Sequence, residues 1–260
     1  HQDGGAYEVY GQRFDASNAP IGNEFQVNTQ TLNYQYHSSV SALSNGGFVV
    51  TWQSENDSST DTDVFGQRYD ATGAPVGGEF QVNSYTADSQ QETTVTALSD
   101  GGFVVVWSSE NQDAPRDPDG SSNFGVFGQR YDSSGAPVGN EFQVNTHTES
   151  IQYNTFVAAS PKGGFMVAWQ SNGQDESDYG IFGQLYDASG ASVDSEFQIN
   201  SHSDNHQRYP SITGLSDGDY VVTWQSVNQD GSVGGIFARV FDVWTELSGT
   251  DDNDFLVGGN

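Results

Sequence analysis

The 260-residue sequence contains no cysteine, which excludes thiolate metal sites, disulfide scaffolds and cysteine nucleophiles. Positive charge is also scarce. Seven Lys and Arg stand against 35 Asp and Glu, giving a formal net charge of −28. Such a chain repels phosphate backbones and anionic headgroups, so we expect no nucleic-acid partner. No apolar run approaches the length of a membrane span, so we expect no membrane insertion either.

Hydrophobic residues make up only 34% of the chain, and the aromatic share is high. The sequence has 16 Phe, 12 Tyr and 5 Trp, together with 31 Gly. A core built from rings and β-branched residues, with many glycine turns, is typical of an all-β protein.

A unit of about 55 residues recurs along the chain. The segment "VFGQRYDATGAPVGGEFQVN" at 64–83 returns as "VFGQRYDSSGAPVGNEFQVN" at 126–145, and weaker copies stand at 8–28 and 180–200. Trp52, Trp107, Trp169 and Trp224 mark the same unit, at spacings of 55, 62 and 55 residues. A structural unit that stacks on copies of itself explains this pattern.

Each unit contains four short strand candidates, named A to D in chain order. In the second unit, strand A is "TTVTALS" and strand B is "FVVVW", and "VFGQRYD" and "EFQVN" represent strands C and D. Repeated groups of four antiparallel strands predict β-propeller blades. We predict a four-bladed propeller over residues 1–243. Strands C and D near 6–28 could complete a blade with strands A and B near 209–226. The C strand near 236–242 is then surplus, or it displaces the one near 8–15. The structural alternative is an open β-array that continues into further sequence.

Four of the basic residues, Arg13, Arg68, Arg130 and Arg239, fall on strand C. We expect each to pair with a carboxylate of the repeat, such as Asp70 or Glu79. The unit at 180–200 has Leu185 in place of the arginine, so this pairing is not obligatory.

A polar position before strand A predicts a ligand-binding site. The repeated glutamines are Gln35, Gln90, Gln152 and Gln207, and Tyr36, Tyr153 and Arg208 follow three of them. Amide and aromatic groups together bind sugars through hydrogen bonds and ring stacking. If strand A is innermost, these residues surround one mouth of the central channel. The alternative is that each glutamine only caps the entry to its strand.

Aspartates in the loops between strands B and C are candidate calcium ligands, because Ca²⁺ prefers oxygen donors. The candidates are Asp113, Asp117 and Asp119 in the insertion of one unit, and Asp175 and Asp230 in Gln-Asp pairs of two others. The alternatives are a plain surface loop and Asx-turns, which Asp followed by Gly or Ser favours.

The C-terminal segment "GTDDNDFLVGGN" at 249–260 resembles the first turn of the calcium repeats of RTX (hemolysin-type) secreted proteins. The 55-residue unit also resembles repeats of large secreted bacterial proteins of this kind. The resemblance implies Ca²⁺ as a cofactor, with Asp251, Asn253 and Asp254 among its ligands. It implies that residues 244–260 are a linker and the truncated first turn of a β-roll. It also implies type I secretion and an extracellular or cell-surface location. Because the chain starts within a unit, we expect it to be part of a longer protein.

No catalytic constellation stands out from the repeats, which predicts a non-enzymatic extracellular module for adhesion or glycan binding. Its partners would be calcium and an extracellular glycan or cell-surface polymer. One alternative is an enzyme acting on polysaccharide, with Asp117 and Asp119 in the unique insertion serving the chemistry. A second is a purely structural spacer in a surface fibre. Equivalent pockets would favour a binding scaffold, and one asymmetric cleft would favour an enzyme.

Overall fold

A computed structural model describes residues 7–56, 61–116 and 120–242. Within these ranges the chain forms seventeen β-strands and no helix. The described residues accordingly contain no helix suited to crossing a membrane.

The strands form five antiparallel sheets in chain order. The first contains β1 (Tyr10–Phe14) and β2 (Pro20–Gln26). The second contains β3 (Gln35–Ala42), β4 (Phe48–Glu55), β5 (Thr62–Tyr69) and β6 (Pro75–Gln81). The third contains β7 (Gln90–Ala97), β8 (Phe103–Glu110), β9 (Phe124–Tyr131) and β10 (Pro137–Gln143). The fourth contains β11 (Gln152–Ala159), β12 (Phe165–Asn172), β13 (Tyr179–Tyr186) and β14 (Ser192–Gln198), and the fifth β15 (Gln207–Gly214), β16 (Tyr220–Ser226) and β17 (Gly235–Phe241).

The predicted all-β propeller fold is confirmed. In sheets two to four, the strands lie side by side in the order A, B, C, D. The A strands of neighbouring sheets contact one another, so they surround the central axis. Strand B of the third sheet, β8, is buried along its whole length, whereas strand D, β10, is mostly exposed. The A strands therefore line the axis, and the D strands form the outer rim.

Of the two arrangements left open by the sequence, the strand near 236–242 takes the place of the one near 8–15 beside strands A and B of the last unit. Among the described residues, β1 and β2 pair only with each other. The last strand, β17, pairs with β16 and so takes the strand C position of the fifth sheet. Five sheets therefore replace the predicted four-blade closure. The first sheet contains only strands C and D and packs on the second, with Val9 and Val27 against Trp52.

A hydrophobic cluster fills each space between successive sheets. Between the second and third sheets, Val49 packs with Trp107, whose side chain is fully buried. In the same cluster the rings of Phe103 and Tyr131 stack at 4.7 Å. The space between the third and fourth sheets is filled in the same way around Trp169. Each sheet thus needs its neighbour to bury its aromatic face, which explains why the unit repeats.

Three arginines on strand C link one sheet to the next. The hydrogen bonds run from Nη2 of Arg13 to the carbonyl of Ala71 (2.7 Å), from Arg68 to Ser133 (2.9 Å) and from Arg130 to Ala188 (3.2 Å). Each carbonyl lies in the turn between strands C and D of the following sheet. The predicted pairing with carboxylates is therefore corrected. Of the three, only Arg130 also contacts one, Asp100, at 3.4 Å.

Arg239 does not share this position. It lies opposite Val222, as Gln67 lies opposite Val50 in the second sheet. Its Nη1 donates to the carbonyl of Ile199 in the fourth sheet at 2.8 Å. The arginine that donates to the C–D turn of the following sheet is therefore found in the first three sheets, and Arg239 instead links the fifth sheet back to the fourth unit.

Candidate functional site

The four A strands share an irregularity near their start. The second residue after each repeated glutamine has a positive φ, although none is glycine. The values are 51° at His37, 58° at Glu92, 55° at Asn154 and 55° at Tyr209. The strand register shifts at the same point in every A strand. Since this conformation costs a non-glycine residue about 1–2 kcal/mol, the surrounding fold must enforce it. We call these four the bulge residues, and the end of the axis that they surround the axial mouth.

The same backbone geometry thus presents four different side chains at the axial mouth. They are an imidazole, a carboxyl, an amide and a phenol. Gln53 of β4 connects the first two, because its Oε1 lies 2.6 Å from Nδ1 of His37 and accepts the main-chain N–H of Glu92 at 3.0 Å. The repeat symmetry of the scaffold is therefore broken at this end of the axis.

Gln170 of β12 connects the other two bulge residues. Its Oε1 accepts Nδ2 of Asn154 at 2.9 Å and the main-chain N–H of Tyr209 at 3.0 Å. Glu92 joins the two halves, since its Oε2 accepts the main-chain N–H of Asn154 at 2.5 Å. A continuous chain of polar contacts therefore crosses the axial mouth.

Glu92 is the carboxyl at the centre of this chain. Burial raises its pKa above the ordinary value for glutamate. The N–H of Asn154, the neighbouring imidazole of His37 and the hydroxyl of Ser108 act in the opposite direction, and burial outweighs them. Glu92 therefore keeps its proton to a higher pH than an exposed glutamate, as a proton donor requires.

An aromatic cavity of about 390 Å³ opens beside His37. It is lined by Tyr7, Tyr34, Tyr36, His37 and Glu55. The rings of Tyr7 and Tyr34 lie 5.2 Å apart, and His37 meets Tyr36 edge to face at 5.1 Å. Burial and the nearby Glu55 raise the pKa of Tyr36, which therefore remains a neutral phenol. Aromatic faces beside a few polar groups suit a sugar ring, and the volume lies within the range of ligand sites.

A second aromatic group lies within electrostatic reach of Glu92. The rings of Tyr153 and Tyr179 meet edge to face at 5.8 Å, and the guanidinium of Arg208 lies 4.5 Å from the centre of the Tyr179 ring. Nη2 of Arg208 is 3.1 Å from Nδ1 of His206. Burial and the hydrogen bond with Tyr179 raise the pKa of Tyr153, so its phenol stays neutral and is unsuited to act as a nucleophile. We call these four residues the arginine cluster.

The four glutamines predicted to bind sugar lie inside the sheets. Gln35, Gln90, Gln152 and Gln207 are 0–1% exposed. Each donates Nε2 to the carbonyl three residues earlier, at 2.7–3.3 Å. The first two also accept the indole N–H of Trp52 and Trp107, each at 3.1 Å. These bonds correspond to the strand-entry role given as the alternative, and they leave almost no glutamine surface for a ligand.

The other predicted ligand-binding residues do reach the mouth. Tyr36 lines the aromatic cavity, and Tyr153 and Arg208 meet in the arginine cluster. The sequence analysis missed Glu92 and Glu55. The signal for Glu92 was its fixed place two residues after the glutamine, where every repeat carries a different residue.

The loop aspartates predicted to bind calcium have protein partners instead. Oδ2 of Asp113 accepts Gln143 and Asn145, both at 3.1 Å, and Oδ2 of Asp175 accepts Gln198 at 3.0 Å. These carboxylates tie strand D to the loop. The exposed Asp230 accepts the N–H of Ser232 at 3.0 Å in a local turn.

Amide N–H donors thus face one oxygen of Asp113 and of Asp175, and Oδ1 of Asp113 is buried without a partner. Nowhere in the described ranges do three or more His, Cys, Asp or Glu form a group that could hold a metal ion. The remaining predicted ligands, Asp117, Asp119, Asp251, Asn253 and Asp254, lie outside the described residues. The calcium site therefore stays a prediction.

A second cavity, of about 360 Å³, lies at the opposite end of the axis. The ends of β7, β11 and β15 and the turns that follow them form its walls. Its lining consists of small, aliphatic and hydroxyl-bearing residues without a titratable side chain. Of the two cavities, the one beside His37 therefore has titratable side chains in its lining and this one has none.

No protein-family model matches the chain, and no curated protein matches it. Solved structures do match. A thermostable family-43 glycoside hydrolase is 11% identical with a TM-score of 0.52, covering 88% of this chain and 76% of its own. A Hadza microbial sialidase is 10% identical (TM-score 0.54, 78% and 44%), and the GH93 α-L-arabinofuranosidase of Fusarium graminearum is 11% identical (0.50, 80% and 62%). At these identities the likeness shows a shared fold.

These matches overturn the prediction of a non-enzymatic adhesion or glycan-binding module. All three matched proteins are carbohydrate-acting enzymes by name, the class given above as the first alternative. The axial mouth agrees with this correction. Among the described residues, its four equivalent positions carry unlike side chains, and the aromatic cavity lies beside His37, so they are not the identical sites of a repeated binding scaffold.

Proposed function

We propose that the protein is a glycoside hydrolase that cleaves a polysaccharide at the axial mouth. The observation that carries the proposal is the placement of two carboxyls around His37. Glu55 shares the aromatic cavity with His37, and the desolvated Glu92 interacts with the same imidazole. A sugar in the cavity would therefore have one carboxyl beside it and a second at the axis.

Hydrolysis of a glycosidic bond requires a protonated acid at the leaving oxygen and a second carboxylate at the anomeric carbon. Glu92 gives its proton to the glycosidic oxygen as the carbon–oxygen bond breaks. Glu55 takes a proton from the water that attacks the anomeric carbon and later releases it to solvent, and Glu92 regains a proton from solvent. The configuration of the released sugar tests whether Glu55 acts through water or attacks directly.

Neighbouring main-chain groups orient Glu92 for this role. Its own N–H is fixed by Gln53, and its Oε2 accepts the N–H of Asn154. The hydroxyl of Ser108 points to the same oxygen at 3.5 Å. The second carboxyl oxygen, Oε1, is thereby left for the proton that is transferred.

The test is the release of reducing ends from a panel of neutral and acidic polysaccharides. Glu92→Gln and Glu55→Gln should each lower kcat by roughly 10²–10⁴-fold, the usual contribution of a positioned acid or base. The matched control is Glu24→Gln, because Glu24 is an exposed carboxylate on the outer strand β2 and should not affect the rate. Full activity in Glu92→Gln, or no cleavage of any polymer by the wild type, would refute the proposal.

We further infer that the enzyme acts outside the cell, together with calcium. The support is the resemblance of residues 249–260 to the RTX calcium repeats. Two measurements test this inference: the presence of the protein in the culture supernatant of cells that produce it, and a calcium titration of the full chain. A purely intracellular protein that calcium leaves unchanged would contradict it.

A further inference from the structure

Arg208 differs from the other arginines in the described part of the chain. Four of them, Arg13, Arg68, Arg130 and Arg239, donate to main-chain carbonyls, and Arg116 forms ion pairs with Asp88 and Glu110. The contacts of Arg208 are the imidazole of His206 and the face of Tyr179. Its guanidinium therefore has neither a carbonyl nor a carboxylate acceptor among the described residues.

The missing acceptor is unexpected in this protein. The chain has 35 acidic residues for seven basic ones, so carboxylates are abundant. Asp178 contacts His206 at 3.5 Å and forms no ion pair with Arg208. Nε of Arg208 is buried without a partner, as are the Nε atoms of Arg68 and Arg130. The feature particular to Arg208 is therefore that its terminal nitrogens have no carbonyl or carboxylate acceptor among the described residues.

We infer that Arg208 binds a carboxylate group of the glycan, and hence that the substrate is an acidic polysaccharide built from sugar acids. The inference rests on the proposed function. A guanidinium binds a carboxylate through two parallel hydrogen bonds, and stacking on Tyr179 fixes its plane.

The position of Arg208 fits a polymer that spans the mouth. Arg208 directly precedes the bulge residue Tyr209, which is 59% exposed, and interacts with Tyr153. Tyr153 in turn interacts with Glu92. The aromatic cavity lies on the His37 side of Glu92. A chain with one sugar in that cavity and its cleaved bond at Glu92 therefore extends its next unit toward Arg208.

Two carboxyls bear on the local charge. Glu92 is neutral when it holds its proton, and the exposed Asp178 lies 3.5 Å from Nδ1 of His206. The net charge of −28 still acts at long range, and added salt screens that repulsion. The two effects can therefore be separated. Added salt should weaken the long-range repulsion of an acidic polymer, whereas Arg208→Gln should remove the close contact and leave that repulsion in place.

The test is the binding of a polyuronate and of its carboxyl-reduced counterpart to the full chain, in a Glu92→Gln background that prevents cleavage. We expect the polyuronate to bind about tenfold more tightly, the value of one charge-assisted hydrogen-bond pair. Arg208→Gln should remove this preference, and Arg208→Lys should retain part of it. Arg116→Gln, the matched control, should retain all of it.

Equal binding of the two polymers, or a preference that survives in Arg208→Gln, would overturn the inference. A second measurement leaves Arg208 unchanged, so it does not depend on whether an Arg208 variant folds. Free uronic acid should compete with the polyuronate and weaken its binding. Absence of competition counts against Arg208 as the binding residue. Cleavage of neutral polymers without any preference for acidic ones defeats only this inference. A carboxylate preference without cleavage of any polymer defeats only the proposed hydrolysis.

Discussion

The indole N–H of Trp107 donates to the side-chain oxygen of Gln90 at 3.1 Å, and both side chains are fully buried. This pair predicts that Gln90→Leu destabilises the fold, because the indole N–H and the carbonyl of Ala87 lose their partner. The expected loss in the free energy of unfolding is about 1–3 kcal/mol, measured by denaturant titration. The exposed Gln30→Leu is the control. Unchanged stability together with lost glycan binding would return Gln90 to the binding site.

The link between Arg68 and the next sheet predicts a second loss of stability. Arg68→Leu copies the residue of the fourth sheet and removes hydrogen bonds to the carbonyls of Ser133 and Ser134. We expect the free energy of unfolding to fall by about 1–3 kcal/mol. The reverse change, Leu185→Arg, should not stabilise the protein, because Leu185 is buried in an apolar cluster. A gain in thermal stability for Leu185→Arg would contradict this explanation.

Gly135 illustrates how the same link constrains the turn. It has a φ of 85°, and a Cβ added there would collide with Nη1 of Arg68. Gly135→Ala should therefore cost at least 1–2 kcal/mol, roughly the penalty for the left-handed conformation alone. At the equivalent place in the first sheet, Asn18 has a φ of 63°. Asn18→Gly should be tolerated, and a comparable loss in that variant would show that the arginine is not the cause.

The aspartates that begin the turns between strands C and D predict that the folded state loses stability in acid. The hydroxyl of Ser134 and the nearby main-chain N–H groups lower the pKa of Asp132 below the ordinary aspartate value, and Asp15, Asp70 and Asp187 behave alike. Because the pKa is lower in the folded state, the stabilisation is complete above the unfolded value of about 4 and is lost as the pH falls through the folded value. The unfolding free energy should therefore decline below pH 4.

Replacing one of these aspartates measures its contribution to the pH dependence of the unfolding free energy. Asp132→Asn should make the dependence of the unfolding free energy on pH shallower between about pH 4 and 2. Glu24→Gln on β2 is the control for removing one exposed carboxylate. An identical slope in Asp132→Asn and wild type would exclude this carboxyl as a source of acid sensitivity.

The sequence predicted the repeating features of the fold and missed the features that depart from the repeat. The 55-residue period and the Phe-Val-Val-x-Trp segments located the buried B strands, because periodicity reports burial directly. Ring closure was not predictable, since strand C near 236–242 and strand C near 8–15 carry the same local pattern. The hydrogen-bonded pairing of β17 with β16 became visible only in the structure.

The site was harder to predict than the fold for a physical reason. Gln90 attracted attention because it repeats, and it repeats because every sheet needs the same buried hydrogen bonds. Glu92 was overlooked because the proposed function depends on its difference from the residues at the equivalent positions. Its left-handed backbone carried no sequence marker either, since glycine or asparagine is the usual sign of that conformation.

The most direct test of the proposed hydrolysis is the pH dependence of kcat/KM for the cleaved polysaccharide. Burial raises the pKa of Glu92, so a general acid at this position stays protonated above the usual range of glutamate. The account predicts that cleavage falls as the pH rises through that raised value, and that this limb disappears in Glu92→Gln along with most of the rate. A falling limb that persists unchanged in Glu92→Gln would contradict it.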